Sequence, residues 1–227
     1  MTQQVTATVV AVKRLNQTVW QYVLQPDRWV AYHAGQYLQI HGPEGDNFFS
    51  IANAPLGAQT YELHIRPPRD EHKQAVLHAQ LALHQRVSIS LPLGRCDITH
   101  LQPQKPIVFI AAGTGFAPIQ AMIEHHLAEA QPRRFEVFWS VHTPEDFYLS
   151  EQLDDWQQQN PDLYYCAHVT QRDRSSLISQ VLSRHPNDIQ AWQMVMAGPF
   201  DLMFLLRDAL VCAGVAPDAI FSDAFEF

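Results

Sequence analysis

The chain has 227 residues, 47% apolar and 17% charged, with a net charge of −8. That length carries one large domain or two small ones with a sizeable core. The charge argues against a nucleic-acid or anionic-membrane surface. No run approaches the ~18 apolar residues of a membrane span, and the start, MTQQVTATVV, lacks the layout of a signal peptide.

The first hundred residues carry the alternation of β-strands. TATVVAV places valine and alanine between polar positions, and TVWQYVLQ, YLQI, NFFS, YELHIR and RVSISLP follow. In the fifth run Tyr61, Leu63 and Ile65 share one face, and Glu62, His64 and Arg66 the other. The segments PDRW, AYHAG, HGPEGD and NAPLGA between these runs are turn signals. Short strands at this spacing predict a closed antiparallel barrel, of Greek-key type, interrupted by one helix over EHKQAVLHAQLAL.

A polar, proline-marked linker, LQPQKP at 101–106, then changes the period. IVFIAA is continuously apolar, the mark of a strand covered on both faces. Strand and helix alternate from there: FEVFWSV, DFYLSEQLDDWQQQ, LYYCAHVT, SSLISQVLSRH, WQMVMA, PFDLMFLLRDALVCAG and AIFSD. This predicts a five-stranded parallel sheet with right-handed crossovers. The expected division is therefore a β-barrel domain over 1–101 and a nucleotide-binding α/β domain over 106–227.

Cys96, Cys166 and Cys212 lie far apart, which gives neither a disulfide framework nor a zinc site and fits a reducing cytoplasm. An iron–sulfur cluster held by this chain alone is excluded on the same ground. The twelve histidines do not predict a metal site. His125 and His126 are adjacent on a helix and point apart, and His78 and His84 are poorly spaced for chelation.

Ligands on a parallel sheet bind beyond the carboxyl ends of its strands. The first such strand ends at Ala112 and runs into AGTGFAP. Gly113 and Gly115 permit a tight turn and close approach of a ligand to the backbone. The helix starting near Phe116, Ala117 and Pro118 offers free N–H groups and a positive dipole end to a phosphate. Pro118 stands where the third glycine of GxGxxG would be, and the second strand ends in Ser140, Val141 and His142 with no ribose-binding acid.

These motifs together, FSIANAP, ELHIR and GTGFAP in this order over nearly the whole chain, resemble the ferredoxin–NADP reductase superfamily. Within it, the resemblance is to the bacterial NAD(P)H:flavin oxidoreductases. The family's flavin-side Arg-x-Tyr-Ser motif falls on Asn47, Phe48, Phe49 and Ser50. The nicotinamide-side glycine motif falls on Gly113, Thr114, Gly115, Phe116, Ala117 and Pro118, with His142 after the next strand. The Cys-Gly-x motif falls on Ala197, Gly198 and Pro199, and the aromatic C-terminus on Phe225 and Phe227. The resemblance implies a flavin against Asn47–Ile51, His64, Ile65, Arg66, Phe225 and Phe227, with hydride passing to it from NADH or NADPH. Ser50 is the residue it implies at the flavin N5.

Two departures bear on the flavin. Asn47 replaces the arginine that holds a flavin phosphate in the family, and after HIR the chain reads PPRDEHKQ in place of the second phosphate motif. FAD or FMN is then expected to be loosely bound and to exchange as a substrate, with Arg66, Arg69 and Lys73 as partial compensation. No basic residue follows the second strand, and Arg172 and Arg174 lie beyond the third, so the expectation is a preference for NADH or weak discrimination. The expected partners are the small-molecule flavin and dinucleotide, with a flavin-dependent monooxygenase or an electron-acceptor protein downstream. The competing expectation is a reductase component feeding an iron–sulfur protein or oxygenase.

Overall fold

The computed structural model describes residues 1–129, 133–160, 163–170 and 175–226. Six antiparallel strands form the N-terminal half: β1 (Gln3–Arg14), β2 (Trp20–Pro26), β3 (Tyr37–Ile40), β4 (Asn47–Ser50), β5 (Tyr61–Ile65) and β6 (Arg86–Leu93). Their order is β4-β3-β6-β1-β2-β5, so β6 returns between β1 and β3 in Greek-key fashion. The ends of this sheet meet beyond β4, where Ile51 bridges Leu63 and the Ala52 N–H donates to Glu62 O at 2.8 Å. The barrel is thus nearly closed.

Tyr61, Leu63 and Ile65 point into the barrel core, as the alternation requires. Helix α1 (Glu71–Gln80) plugs one end with Leu77, and Leu81 follows it into the core. It stops three residues short of the expected end, because Leu81 leaves helical geometry at φ −98° and ψ 18° as its side chain enters the barrel core.

The second half alternates β7 (Ile107–Ala112), α2 (Phe116–Leu127), β8 (Phe135–Val141), α3 (Ser150–Gln159), β9 (Tyr164–Val169), α4 (Ser175–Arg184), β10 (Gln193–Ala197), α5 (Phe200–Cys212) and β11 (Ile220–Phe221). All five strands are parallel, in the order β11-β10-β7-β8-β9. Every residue of β7 and β8 is buried, which is why neither alternates. Helix α3 begins at Ser150, later than the sequence suggests. Pro144–Asp146 form a separate 3₁₀ turn in which the Asp146 carboxylate accepts from the Thr143 N–H at 3.1 Å.

The chain leaves β7 in one direction and returns through β10 on its other side, so the switch point lies at their carboxyl ends. The barrel sits against this edge. The face of β5 carrying Glu62, His64 and Arg66 is covered by the α/β half, which buries His64 although it lies outside the barrel core. Among the described residues no helix is long and apolar enough to cross a membrane, and no cluster of three or more His, Cys, Asp or Glu could hold a metal.

Candidate functional site

A cleft of about 500 Å³ opens between the barrel and the carboxyl ends of β7 and β10. On the parallel-sheet side β7 breaks at Ala112 into the Gly113–Gly115 turn, and α2 follows directly. Gly113 takes φ +58°, and a Cβ there would meet nothing within 4 Å, so this glycine faces open space. Gly115 is the opposite case: a Cβ would fall 2.2 Å from Ala197 O and 2.7 Å from Gly198 N. Only glycine lets the turns after β7 and β10 press backbone to backbone. No side chain caps α2, but the expected row of free N–H groups is thinned: the Phe116 N–H turns back onto Gly113 O and Thr114 O, and Pro118 has none, so the helix offers an anion chiefly its positive dipole end.

Of the expected dinucleotide residues, Gly113, Thr114, Gly115, Ala117, Pro118, His142, Ala197, Gly198 and Pro199 line this cleft. Phe116 does not. It is fully buried and stacks on Trp139 at 4.1 Å, and the Trp139 indole N–H donates to Gly113 O at 3.0 Å. These two rings support the turn from beneath. Trp139 sits inside a strand that is buried along its whole length, so no local pattern distinguishes it.

On the barrel side Phe48, Phe49, Ser50, His64 and Arg66 line the cleft. Phe48 is 55% exposed at its mouth. Among the described residues the Ser50 hydroxyl has no hydrogen-bond partner. Ile51 and Ile65 are buried in the barrel core and present no side chain to the cleft. The two opening walls are tied together by α2 itself: Glu124, two turns beyond the glycine loop, accepts from the Ala54 N–H just after β4 at 2.9 Å.

Residues 109–208 match the family of oxidoreductase NAD-binding domains. A CDP-6-deoxy-L-threo-D-glycero-4-hexulose-3-dehydrase reductase of Yersinia pestis is 28% identical over 207 residues, 89% of this chain and 62% of that protein. A probable flavin reductase of Vibrio harveyi is 22% identical over 226 residues, 95% of this chain and 97% of that one. Among solved structures, an Amycolatopsis cytochrome P450 reductase superposes with a TM-score of 0.85 at 21% identity, covering 97% of this chain and 69% of that one. The ferredoxin–NADP⁺ reductase of Plasmodium falciparum superposes with a TM-score of 0.83 at 12% identity, covering 96% and 95%. Residues 109–208 thus carry an oxidoreductase NAD-binding domain, and the whole chain shares the two-domain fold of the ferredoxin–NADP⁺ reductase. The chain spans 62% of the length of the dehydrase reductase, and nearly all of the flavin reductase.

In this chain the expected flavin-phosphate position is separated from the cleft. Asn47 lines a second groove of about 260 Å³ beside α1, with Glu44, Asp46 and Lys73. The N-terminus of α1 is not free for a phosphate, because the Asp70 carboxylate caps it by accepting from the Lys73 N–H at 2.9 Å. Glu71 adds a second negative charge in the first turn. In the main cleft Ser50 offers an unpaired hydroxyl, whereas the groove at Asn47 sets two acids, Glu44 and Asp46, beside a single cation, Lys73. Arg66 is not free to compensate, since its guanidinium pairs with Asp146 at 2.9 Å.

The aromatic C-terminus also departs from expectation. Phe225 turns away from the cleft and packs on Phe204 of α5 with ring centroids 5.4 Å apart, and Arg207 lies over both rings. Phe227, Arg172 and Arg174 lie outside the described residues.

A strongly perturbed acid of the cleft was not evident from the sequence. Asp223, just after β11, lines the cleft with its carboxylate against Gly94–Cys96 at the end of β6. Burial pushes its carboxyl up to about 7, the neighbouring carboxylates of Glu226 and Asp97 push the same way, and the hydrogen bond from the Cys96 N–H opposes them. Burial likewise raises the Cys96 thiol well above its usual range, so that this cysteine at the cleft wall is no thiolate at neutral pH. On β5 burial opposes ionisation of Glu62, but the hydrogen bond with His64 at 2.8 Å, the charge of that imidazole, a hydrogen bond with Gln21 and the charge of Lys13 together outweigh it and hold the carboxyl low.

Proposed function

We propose that this chain is an NAD(P)H-dependent flavin reductase that uses flavin as an exchanging substrate, with the flavin on the barrel over 1–101 and the dinucleotide on 106–227. The observation that carries this reading is one cleft with Ser50 on one wall and the Gly113–Pro118 loop on the other, while the groove at Asn47 offers no phosphate cradle. The chemistry is hydride transfer from reduced nicotinamide to the flavin N5. Ser50 donates a hydrogen bond at N5 and Phe49 offers an aromatic face to the ring. The glycine turn and the positive dipole end of α2 hold the dinucleotide phosphates, and the closely packed turns after β7 and β10 fix the nicotinamide at reacting distance. Protonated Asp223 supplies a neutral hydrogen-bond donor in the cleft without placing a negative charge beside an electron-rich ring. The described lining has one guanidinium, that of Arg66, and Asp146 occupies it, so nothing described there holds a 2′-phosphate. This supports NADH as the donor. The reduced flavin would serve a flavin-dependent monooxygenase or another acceptor.

The purified protein is expected to be colourless until flavin is added, then to oxidise NADH with riboflavin, FMN and FAD at comparable efficiency. A yellow protein with stoichiometric FAD, or FAD binding in the nanomolar range, overturns the exchanging-substrate reading. The second reading, a reductase component with a resident flavin and a protein acceptor, is favoured by the dehydrase reductase relative and would produce that result.

Two substitutions test the parts. Ser50→Ala should lower the limiting rate about tenfold or more, while flavin affinity changes less, because one transition-state hydrogen bond is worth roughly 1–3 kcal/mol. Unchanged turnover would reduce Ser50 to strand packing. Asn47→Arg should tighten FMN and FAD but leave riboflavin nearly unchanged, and the gain should shrink with salt. An equal gain for riboflavin in fluorescence titration would mean that phosphate is not what the arginine meets.

A further inference from the structure

The seam between β5 and the loop after β8 carries more than packing. From the barrel, Arg66 reaches Asp146 Oδ1 at 2.9 Å. The other oxygen of the same carboxylate, Oδ2, accepts from the Thr143 N–H, next to His142 in the cleft wall. Asn16, in the β1–β2 turn, donates to Glu145 O at 3.0 Å on the same loop. Between these contacts His64 and Tyr148 meet edge to face at 5.3 Å. The His64 Nδ1 and the Tyr148 hydroxyl are both buried there without a hydrogen-bond partner. Unpaired buried polar atoms are costly, and water reaches them only if the seam opens. The closed seam therefore contains its own tendency to part, and the Arg66–Asp146 ion pair beside it opposes that.

We propose that Arg66 is a positioning residue, an ionic latch on Asp146 that sets the spacing between the flavin wall and the nicotinamide wall, and not a ligand for a flavin or dinucleotide phosphate. The role rests on the hydride-transfer reading of the cleft. The latch sits immediately after β5, two residues from His64, and pulls on the loop that begins at His142. Losing it lets the loop move relative to the barrel while Ser50, the glycine loop and the Thr143–Asp146 turn stay intact. A shift of this kind costs rate steeply, since reacting atoms need near-contact geometry, and costs affinity little.

The test is a double-mutant cycle of Arg66→Gln and Asp146→Asn, with Arg66→Lys as the conservative control. Hydrogen exchange of the Thr143–Tyr148 amides in the protein without ligands reads the seam, and stopped-flow reduction of riboflavin and FMN by NADH and 4-deuterated NADH reads the spacing. Arg66→Gln should speed exchange in that loop and slow hydride transfer about tenfold, with a changed isotope effect and flavin KM within about twofold. Arg66→Lys should retain most of the rate. Arg66→Gln should add nothing in the Asp146→Asn background, because the cycle removes one shared interaction. High salt should slow the wild-type transfer step and leave Arg66→Gln unaffected. The latch is overturned if Arg66→Gln keeps its full effect in the Asp146→Asn background, or if its cost is a raised KM confined to FMN with riboflavin unchanged. If no flavin is reduced by the wild type while exchange in the cycle is still non-additive, the ion pair holds the seam and the flavin-reductase reading is what fails.

Discussion

Gly115→Ala is expected to abolish most NADH-dependent reduction, whereas Gly113→Ala, two residues away, is expected to be mild. The added methyl at 115 would lie 2.2 Å from Ala197 O and 2.4 Å from the Ala197 carbonyl carbon. Both are backbone atoms of the strand end that forms the other half of the nucleotide site, so neither can rotate away. The turns after β7 and β10 must separate by more than an ångström. Overpacking of this kind costs roughly 1–3 kcal/mol or more of stability, and misplacing the nicotinamide by that distance costs on the order of a hundredfold in rate. At 113 the methyl meets nothing within 4 Å, and the remaining cost is the left-handed φ of +58°, about 1 kcal/mol. Thermal melts and stopped-flow reduction of both variants test the contrast. Equal and small effects at the two positions would mean that the loops separate freely and that their contact does not set the site.

The second large effect is one of stability against pH. The Asp223 carboxyl is raised to about 7 in the folded protein, against an ordinary value of 3.8. Between those values the unfolded chain has released this proton and the folded chain retains it. Folding is therefore progressively penalised as pH rises through that window, and the full penalty, about 4 kcal/mol, is reached above pH 7. Asp223→Asn removes the charge and keeps an acceptor for the Cys96 N–H. It should stabilise the protein, with a gain that grows by roughly 2–3 kcal/mol from pH 5 to pH 8.5. The reduction rate should fall at the same time, as is usual when a strained group belongs to the site. Denaturant melts of both proteins at the two pH values measure this. A gain that is flat with pH would place the titration elsewhere.

Most of the fold was legible because each half has one period. Alternation in YELHIR places Tyr61, Leu63 and Ile65 in the barrel core, and the unbroken apolar run of β7 marks a strand covered on both faces. The glycine loop was legible because tight turning and helix initiation are local. What escaped is non-local. Asp223 is perturbed because the chain after β11 folds back onto Gly94–Asp97. Glu124 and Asp146 matter because helix α2 and the loop after β8 face the barrel. Phe225 followed the exposed side of α5, where Phe204 and Arg207 offered a ring and a cation. Asn47 was legible as a departure, while its placement in a separate groove with Glu44 and Asp46 needed the tertiary structure.

Strand order also bears on how the chain is made. In both sheets the first strand synthesised is interior. β1 finds β2 at once but must wait for β6, pairing Gln3 with Leu91, and β7 finds β8 early but must wait for β10, pairing Ile107 with Gln193. During translation each half therefore carries an unpaired strand edge for most of its own length, and the β7 edge, IVFIAA, is wholly apolar. Such edges invite association with other nascent chains. The exposure ends separately for the two halves, since both partners of β1 precede residue 94 and both partners of β7 precede residue 198. Ribosomes stalled within the second half would thus display a completed barrel beside a sticky, half-built sheet.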